Sequence, residues 1–176
     1  MYKNMQKEEK TMQPIGKLRN MTSIYLTYKG EILLLFRQGS RVVNNMWVGS
    51  AGGHFEPDEV NDARACALRE LEEELHITED MLEKLTLRYV SLYNKPTELR
   101  QNYYFFAELK SREDVQFSSD EGELKWFNIE EIPNLEMPFT SHHVTRHWLK
   151  EGRFDDKFYA AVSTDNDMVF LEMKEF

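Results

Sequence analysis

The sequence predicts a single α/β or α+β domain, a sandwich of a few helices around one sheet. Three observations carry this. Apolar runs of strand length recur along most of the chain, only two stretches hold a helical period, and strands mixed with so few helices favour one sheet with helices packed on it. The 176 residues suit one domain with room for a core, and shares of 41% hydrophobic and 30% charged side chains are those of a globular chain.

Each element has its own signal. Residues 1–20 are polar without a clean period and read as an N-terminal arm whose order the sequence leaves open, so the folded domain is expected over 21–176. Ile24 to Arg37, IYLTYKGEILLLFR, is two strands around a Lys29-Gly30 turn. Asn44-Asn45 marks a loop and Met46-Trp47-Val48 a short strand. Ala63, Ala67, Leu71 and Leu75 recur every fourth position with Leu68 beside them, which makes the apolar stripe of a helix over Asp62–Leu75 with Asp62 as N-cap. LTLRYVSLY (85–93) and LRQNYYFFAEL (99–109) are longer strands joined through Asn94-Lys95-Pro96. The unbroken run Tyr103 to Ala107 suits a strand covered on both faces. ELKWFNI (123–129) is a further strand and EEIPNLEMP (130–138) a turn region. A second helix fits Ser141 to Lys150, with Thr140 as N-cap and Gly152 just past its end. KFYAAVS and DMVFLEM, around Thr164-Asp165-Asn166-Asp167, form a C-terminal hairpin at about 157–174.

The net charge of −9 argues against a nucleic-acid polymer as partner, because phosphate backbones select a basic footprint. A small anionic substrate stays open if metal ions or local arginines neutralise it. No apolar stretch approaches the roughly 20 residues that span a bilayer, so no membrane partner is expected. One cysteine, Cys66, makes no internal disulfide, and the N-terminus lacks the apolar core of a secretory signal; both point to the reducing cytoplasm.

Against that acidic background, Glu70, Glu72, Glu73 and Glu74 fall within five positions. On a helix Glu70, Glu73 and Glu74 stand at i, i+3 and i+4 and share a face, while Glu72 points elsewhere. Taken alone, the run also describes a solvated face, since each like-charge pair costs only ~0.2–0.5 kcal/mol there. The flanks add to it. Gly52-Gly53 lets the backbone bend and bring carbonyls close. Three carboxylates beside a carbonyl form an all-oxygen set that suits Mg²⁺ or Mn²⁺, ions that bind phosphate oxygens and activate water. Arg69, next to the cluster, can brace it by pairing with Glu59.

The segment resembles the signature of the Nudix hydrolases, G-x5-E-x7-R-E-U-x-E-E-x-G-U, with U a bulky apolar residue. Gly53-x5-Glu59 matches, and Arg69-Glu70-Leu71-Glu72-Glu73-Glu74-Leu75-His76-Ile77 matches the second half. Two departures stand out: nine residues rather than seven separate Glu59 from Arg69, and His76 replaces a glycine at the helix end, where a left-handed residue is needed. Neither touches the carboxylates. The resemblance covers roughly Met21 to Gly152. It implies a Nudix-type α/β/α sandwich with a mixed sheet, and hydrolysis of a nucleoside diphosphate linked to a further moiety. It also implies that Glu70, Glu73, Glu74 and the Gly53 carbonyl hold the metal, with Glu59 and Arg69 as a structural pair. The family often adds a carboxylate from a distant loop. Glu121, in Asp120-Glu121-Gly122-Glu123, is the candidate for that role and reads equally as an exposed acidic turn. The base that takes the proton from water is left open between Glu121 and the cluster.

For the substrate, Arg37 in LLLFRQGS and Arg41 behind it are candidate contacts, with plain surface arginines as the alternative. Trp47, Phe139 and Tyr25 either stack on a base or belong to the core. LEMPFTSHHVTRHWL resembles the tail of bacterial 8-oxo-dGTP diphosphatases, but Phe139, Thr140 and Ser141 stand where those enzymes read the purine with an asparagine. A nucleoside triphosphate, oxidised forms such as 8-oxo-dGTP included, is therefore the leading substrate class. ADP-ribose, dinucleoside polyphosphates, nucleotide sugars and a catalytically silent nucleotide-binding module are the alternatives. The intact glutamates favour the enzyme. His143 and His147, at i and i+4, lack a third zinc ligand and read as part of a solvated or groove-lining helix, and Cys66 as small core packing. The aromatic strand and the hairpin are compatible with a homodimer.

Overall fold

The computed structural model describes residues 16–38, 45–113, 115, 118–119 and 122–174. Among these, nine strands form one mixed sheet: β1 (Lys17–Tyr28), β2 (Glu31–Arg37), β3 (Met46–Val48), β4 (Leu82–Lys95), β5 (Glu98–Leu109), β6 (Ser118–Ser119), β7 (Gly122–Asn128), β8 (Phe158–Ser163) and β9 (Met168–Met173). Their order is β6-β7-β2-β1-β5-β4-β8-β9, with β3 beside β2. The pairs β1–β5 and β4–β8 are parallel and the others antiparallel.

Strand alternation sorts the core into two layers. Ile24, Leu26, Leu33, Leu35, Phe105 and Ala107 face helix α1 (Ala63–Leu75) and meet its Ala67, Leu71 and Leu75. Their neighbours Tyr25, Ile32, Leu34, Tyr104 and Phe106 face helix α2 (Phe139–Lys150) and meet Val144, Trp148 and Leu149. The unbroken apolar run of β5 follows directly, since both its faces are covered. This is the α/β/α sandwich with a mixed sheet that the resemblance implies. The β1–β2 turn is tight because Lys29 and Gly30 both take positive φ, 46° and 84°.

Several boundaries differ from expectation. β4 runs on through Asn94 and Lys95, expected in the connection, because they pair with Leu99 and Glu98 of β5. β1 begins at Lys17, so the last four residues of the expected arm are strand, in register with Glu98–Gln101 of β5; residues 1–15 lie outside the described residues. Helix α2 begins at Phe139 and its N-cap is Pro138, not Thr140. Proline's fixed φ suits the entry to a helix, and the Pro138 carbonyl accepts the first helical bond, from His142 N at 2.9 Å.

The cleft comes from a divergence. β1 and β2 pair only between Leu26–Tyr28 and Glu31–Leu33, after which β2 continues with β3. The chain leaving β3 wedges against β1 through the bridges Ile24–Ala51 and Met21–His54. That wedge carries Gly52 and Gly53 to the side of α1.

Candidate active site

Helix α1 is fixed at both ends. Asp62 caps it by accepting from Ala65 N at 2.9 Å. At the far end His76 is left-handed (φ 54°, ψ 32°), with His76 N donating to Glu72 O at 3.0 Å and Ile77 N to Leu71 O at 3.1 Å. This pair of bonds is the usual glycine-type helix stop, made here by a histidine.

Arg69 is the hub between helix and loop. Its Nε donates to Glu59 Oε1 at 2.7 Å, and its Nη2 to Glu59 Oε2 at 3.0 Å and to His54 O at 3.2 Å. Its Nη1 lies 2.9 Å from both Glu70 Oε1 and Glu73 Oε2. The expected Glu59–Arg69 pair is therefore bidentate. The two residues that lengthen the loop do not prevent it. Arg69 holds the buried Glu59 carboxyl down to about 2. Glu59 in turn raises the guanidinium above its already high range. Glu70 is also buried, and there burial outweighs Arg69 and pushes the carboxyl upward. Burial pushes the Cys66 thiol up to about 12, and its sulfur sits 3.6 Å from Thr22 Oγ1; it is a packing residue without nucleophilic character.

The two glycines are needed where they stand. A Cβ on Gly53 would lie 2.2 Å from Glu70 Oε1, and one on Gly52 2.4 Å from Thr22 O. Gly52 N donates to Glu74 Oε2 at 3.1 Å, and the Gly53 carbonyl accepts from Thr22 N at 2.8 Å, which leaves it one lone pair. Among the described residues no three His, Cys, Asp or Glu side chains converge as a ready-made metal cluster. The reason is visible: Arg69 draws Glu70 and Glu73 to itself while Glu74 turns to Gly52.

Beside Glu74 opens a cavity of about 350 Å³. Met21 and Ser23 of β1, Ser91, Tyr93 and Lys95 of β4, and Arg100 and Asn102 of β5 line it, together with Arg37, Gly52 and the first turn of α2. Arg37 thus lines the cavity, and so does Phe139, whose ring stands 6.0 Å from that of Tyr93. Trp47 does not. Its strand neighbours Met46 and Val48 face the cavity, and alternation turns Trp47 away onto Phe127 (4.6 Å) and Phe36 (4.9 Å). Tyr25 is fully buried beside Tyr104 and Phe106. Arg41, Glu121 and its neighbour Asp120 lie outside the described residues. His147 is packed under the hairpin, with Nδ1 3.0 Å from Tyr89 Oη and its ring stacked 4.1 Å from Phe170. His143 lies 3.4 Å from Asp167.

Sequence reasoning missed Lys95, Arg100, Ser23 and Asn102. Their signal was a polar period of two, Ser91-Tyr93-Lys95 and Arg100-Asn102, at the ends of strands whose same face is otherwise aromatic. Arg100 and Arg19 share one carboxylate, Glu98, at 2.5 and 3.3 Å. Asn102 Nδ2 donates to Ser23 Oγ at 2.9 Å, while its Oδ1 is buried without a partner among the described residues.

The NUDIX domain profile matches residues 17–150. Among solved structures, a mutator MutT protein of Bacillus halodurans superposes with a TM-score of 0.65 at 19% identity, covering 88% of this chain and 97% of its own. A MutT protein of Methanosarcina mazei Go1 gives 0.63 at 22%, covering 78% and 97%. An Ap4A hydrolase of C. elegans gives 0.61 at 22%, covering 78% and 99%. No curated protein matches the sequence. With the matched profile, the sandwich, the braced acidic helix and the cleft are those of a pyrophosphohydrolase. By its matched residues the chain belongs to the Nudix family.

Proposed function

We propose that this Nudix hydrolase is metal-dependent and opens the diphosphate linkage of a nucleoside triphosphate or a related polyphosphate, oxidised nucleotides such as 8-oxo-dGTP included. One observation carries the reading. In a chain of net charge −9, the cavity beside Glu74 is lined by three cations, Arg37, Lys95 and Arg100, and one carboxylate. Such a lining favours a ligand whose negative charge continues past the hydrolysed linkage. A nucleotide sugar or ADP-ribose carries its charge on the diphosphate alone. The ring pair Tyr93–Phe139 offers a wall for a base.

The residues beside α1 fit a hard divalent cation. They are all oxygen donors, and Glu70 is a buried carboxylate pressed against Gly53, where a nearby dication offsets the cost of its charge. Glu70, Glu73, Glu74 and the Gly53 carbonyl would hold Mg²⁺ or Mn²⁺. When bound, the ion neutralises phosphate oxygens and makes a bound water more acidic. The chain's own part is positioning. Glu59 keeps Arg69 in place, Arg69 holds Glu70 and Glu73 near the cavity, and Gly52 N aims Glu74 at it. Water attacks phosphorus, the phosphoanhydride P–O bond breaks, and a carboxylate of the cluster or Glu121 accepts the proton. The substrate is a small molecule. No helix among the described residues is long and apolar enough to cross a membrane, and the buried lone thiol suits work in the cytoplasm.

A substrate panel with Mg²⁺ or Mn²⁺ tests this, scored by product identity: (d)NTPs, 8-oxo-dGTP, dinucleoside polyphosphates, ADP-ribose and nucleotide sugars. The likeness to an Ap4A hydrolase keeps dinucleoside polyphosphates in it. Turnover of polyphosphates that is lost in E73Q and E74Q, with the fold intact, is the expected result. Faster turnover of ADP-ribose or nucleotide sugars would overturn the substrate class. Absence of phosphate or pyrophosphate release from every compound would leave a silent module.

A further inference from the structure

The α1 side of the sheet is only half covered. Helix α1 lies over β1 and β6, and its core reaches no further along the sheet than Leu85 and Leu87 of β4. Beyond that, β4, β8 and β9 continue with no helix of the described residues above them on this side. Tyr159, Ala161, Met168 and Phe170 point the other way, into the core beneath α2. Alternation therefore puts Phe158, Ala160 and Val162 of β8, and Val169, Leu171 and Met173 of β9, on the uncovered face.

The register makes this face regular. Leu92, Val162 and Val169 form one row across the three strands, Val90, Ala160 and Leu171 the next, and Phe158 and Met173 close it. Four of these large apolar residues are among the most open in the molecule: Val162 38%, Val169 47%, Leu171 55% and Met173 48% exposed. No charged side chain interrupts the rows. The charged pair of the hairpin, Lys157 and Glu172 at 2.7 Å, lies on the opposite face, because Glu172 is in register with Tyr159.

We propose that this face is the interface of a homodimer, in which the β4–β8–β9 faces of two copies pack on each other about a two-fold axis. An apolar sheet face is covered by a second layer in a stable fold, and two such faces stack about 10 Å apart. A second copy brings the same rows, so an isologous contact sets apolar residues against apolar residues throughout. Charge selects the same place. Two chains of −9 repel wherever acidic surfaces meet, and the described rows of this face carry no charge to repel. The open area is on the order of 400 Å² per copy. That is within the ~300–600 Å² of the largest patch on a typical monomer and about half of the ~800 Å² per partner of a standard interface, the remainder falling to the rim. The inference stands apart from the nucleotide reading, because the face lies across the sheet from α2 and contains no residue of the cavity.

Light scattering of the full chain across a concentration series tests it. The wild type is expected at twice the 21.0 kDa chain mass. Salt should strengthen the dimer by screening the mutual repulsion. L171E should run at the single-chain mass while keeping the wild-type circular dichroism and nucleotide turnover. V60E, at an exposed apolar residue elsewhere, should stay dimeric. If L171E misfolds, the double variant V169T/L171T keeps β-branched strand formers and removes apolar surface; it should weaken the dimer at least tenfold. A wild type that stays monomeric at 100-fold the concentration used for activity overturns the proposal. A dimer that both face variants leave intact overturns it equally.

Discussion

Arg69 ties together three things that its neighbours in sequence do not suggest: the incoming loop through Glu59, the helix through Glu70 and Glu73, and the backbone through His54 O. Removing it leaves the Glu59 carboxylate, 6% exposed, without its cation. R69A is expected to cost about 3–5 kcal/mol in urea unfolding, the usual penalty for orphaning a buried charge. The pH dependence has a defined sign. The folded carboxyl of Glu59 lies at about 2 against an ordinary 4.5, so its stabilisation is complete above about pH 4.5 and is lost as pH falls towards 2. The stability gap between wild type and E59Q should therefore close over that window. At Gly53 a single methyl meets Glu70 Oε1 at 2.2 Å. G53A should lose roughly 100-fold in kcat/KM, as a misplaced ligand does, with a far smaller change in melting temperature. His76 presents the reverse case. It sits at φ 54° where glycine is unstrained, so H76G should stabilise the protein by about 0.5–1 kcal/mol with turnover unchanged.

At the scale of elements, the hairpin β8–β9 is held to α2 through His147, which stacks on Phe170, faces Tyr159 edge-on and meets Tyr89 Oη. Burial lowers its affinity for a proton, against a pull from Glu151 at 3.6 Å and from Asp155. A histidine held below its ordinary 6.5 favours the folded state when neutral, so stability is present above about pH 6.5 and falls as pH drops below it. Unfolding followed by circular dichroism should show this loss in the wild type and a weaker one in H147N. The elements also show how legible each signal was. Helix α1 was readable because its stripe, N-cap and stop are local chemistry. The start of α2 was not, because Thr140 carries the capping side chain that local chemistry favours, while the helix enters through the fixed φ of Pro138 with no side-chain cap. β1 began well before the expected Ile24 for a different reason: Lys17 to Asn20 have no apolar period and are strand because β5 offers eleven consecutive partners in parallel register.

For the whole molecule, the proposed metal site carries a prediction about stability. Saturating Mg²⁺ should raise the melting temperature, with about 2.7 kcal/mol gained at a hundred times the dissociation constant. E70Q or E74Q should remove most of that gain. A differential scanning experiment with and without the ion reads both, and an equal gain in the variants would dismiss these carboxylates as ligands.

By itself the sequence determined the local chemistry of this protein. The spacing of Glu70, Glu73 and Glu74 on one helix face, the pairing of Glu59 with Arg69 and the β-hairpins are set by 3.6- and 2-residue periods and by turn residues, which act over a few positions. Only the tertiary structure decided what stands opposite that helix. Arg100 and Lys95 reach the cavity because β5 runs beside β1 and β4 beside β5, and Trp47 leaves it because one strand step turns a side chain to the other face. The open face of β4, β8 and β9 exists because α1 is too short and too far along the sheet to cover it. Those are consequences of strand order and register, and contacts between residues some 80 positions apart have no period to reveal them.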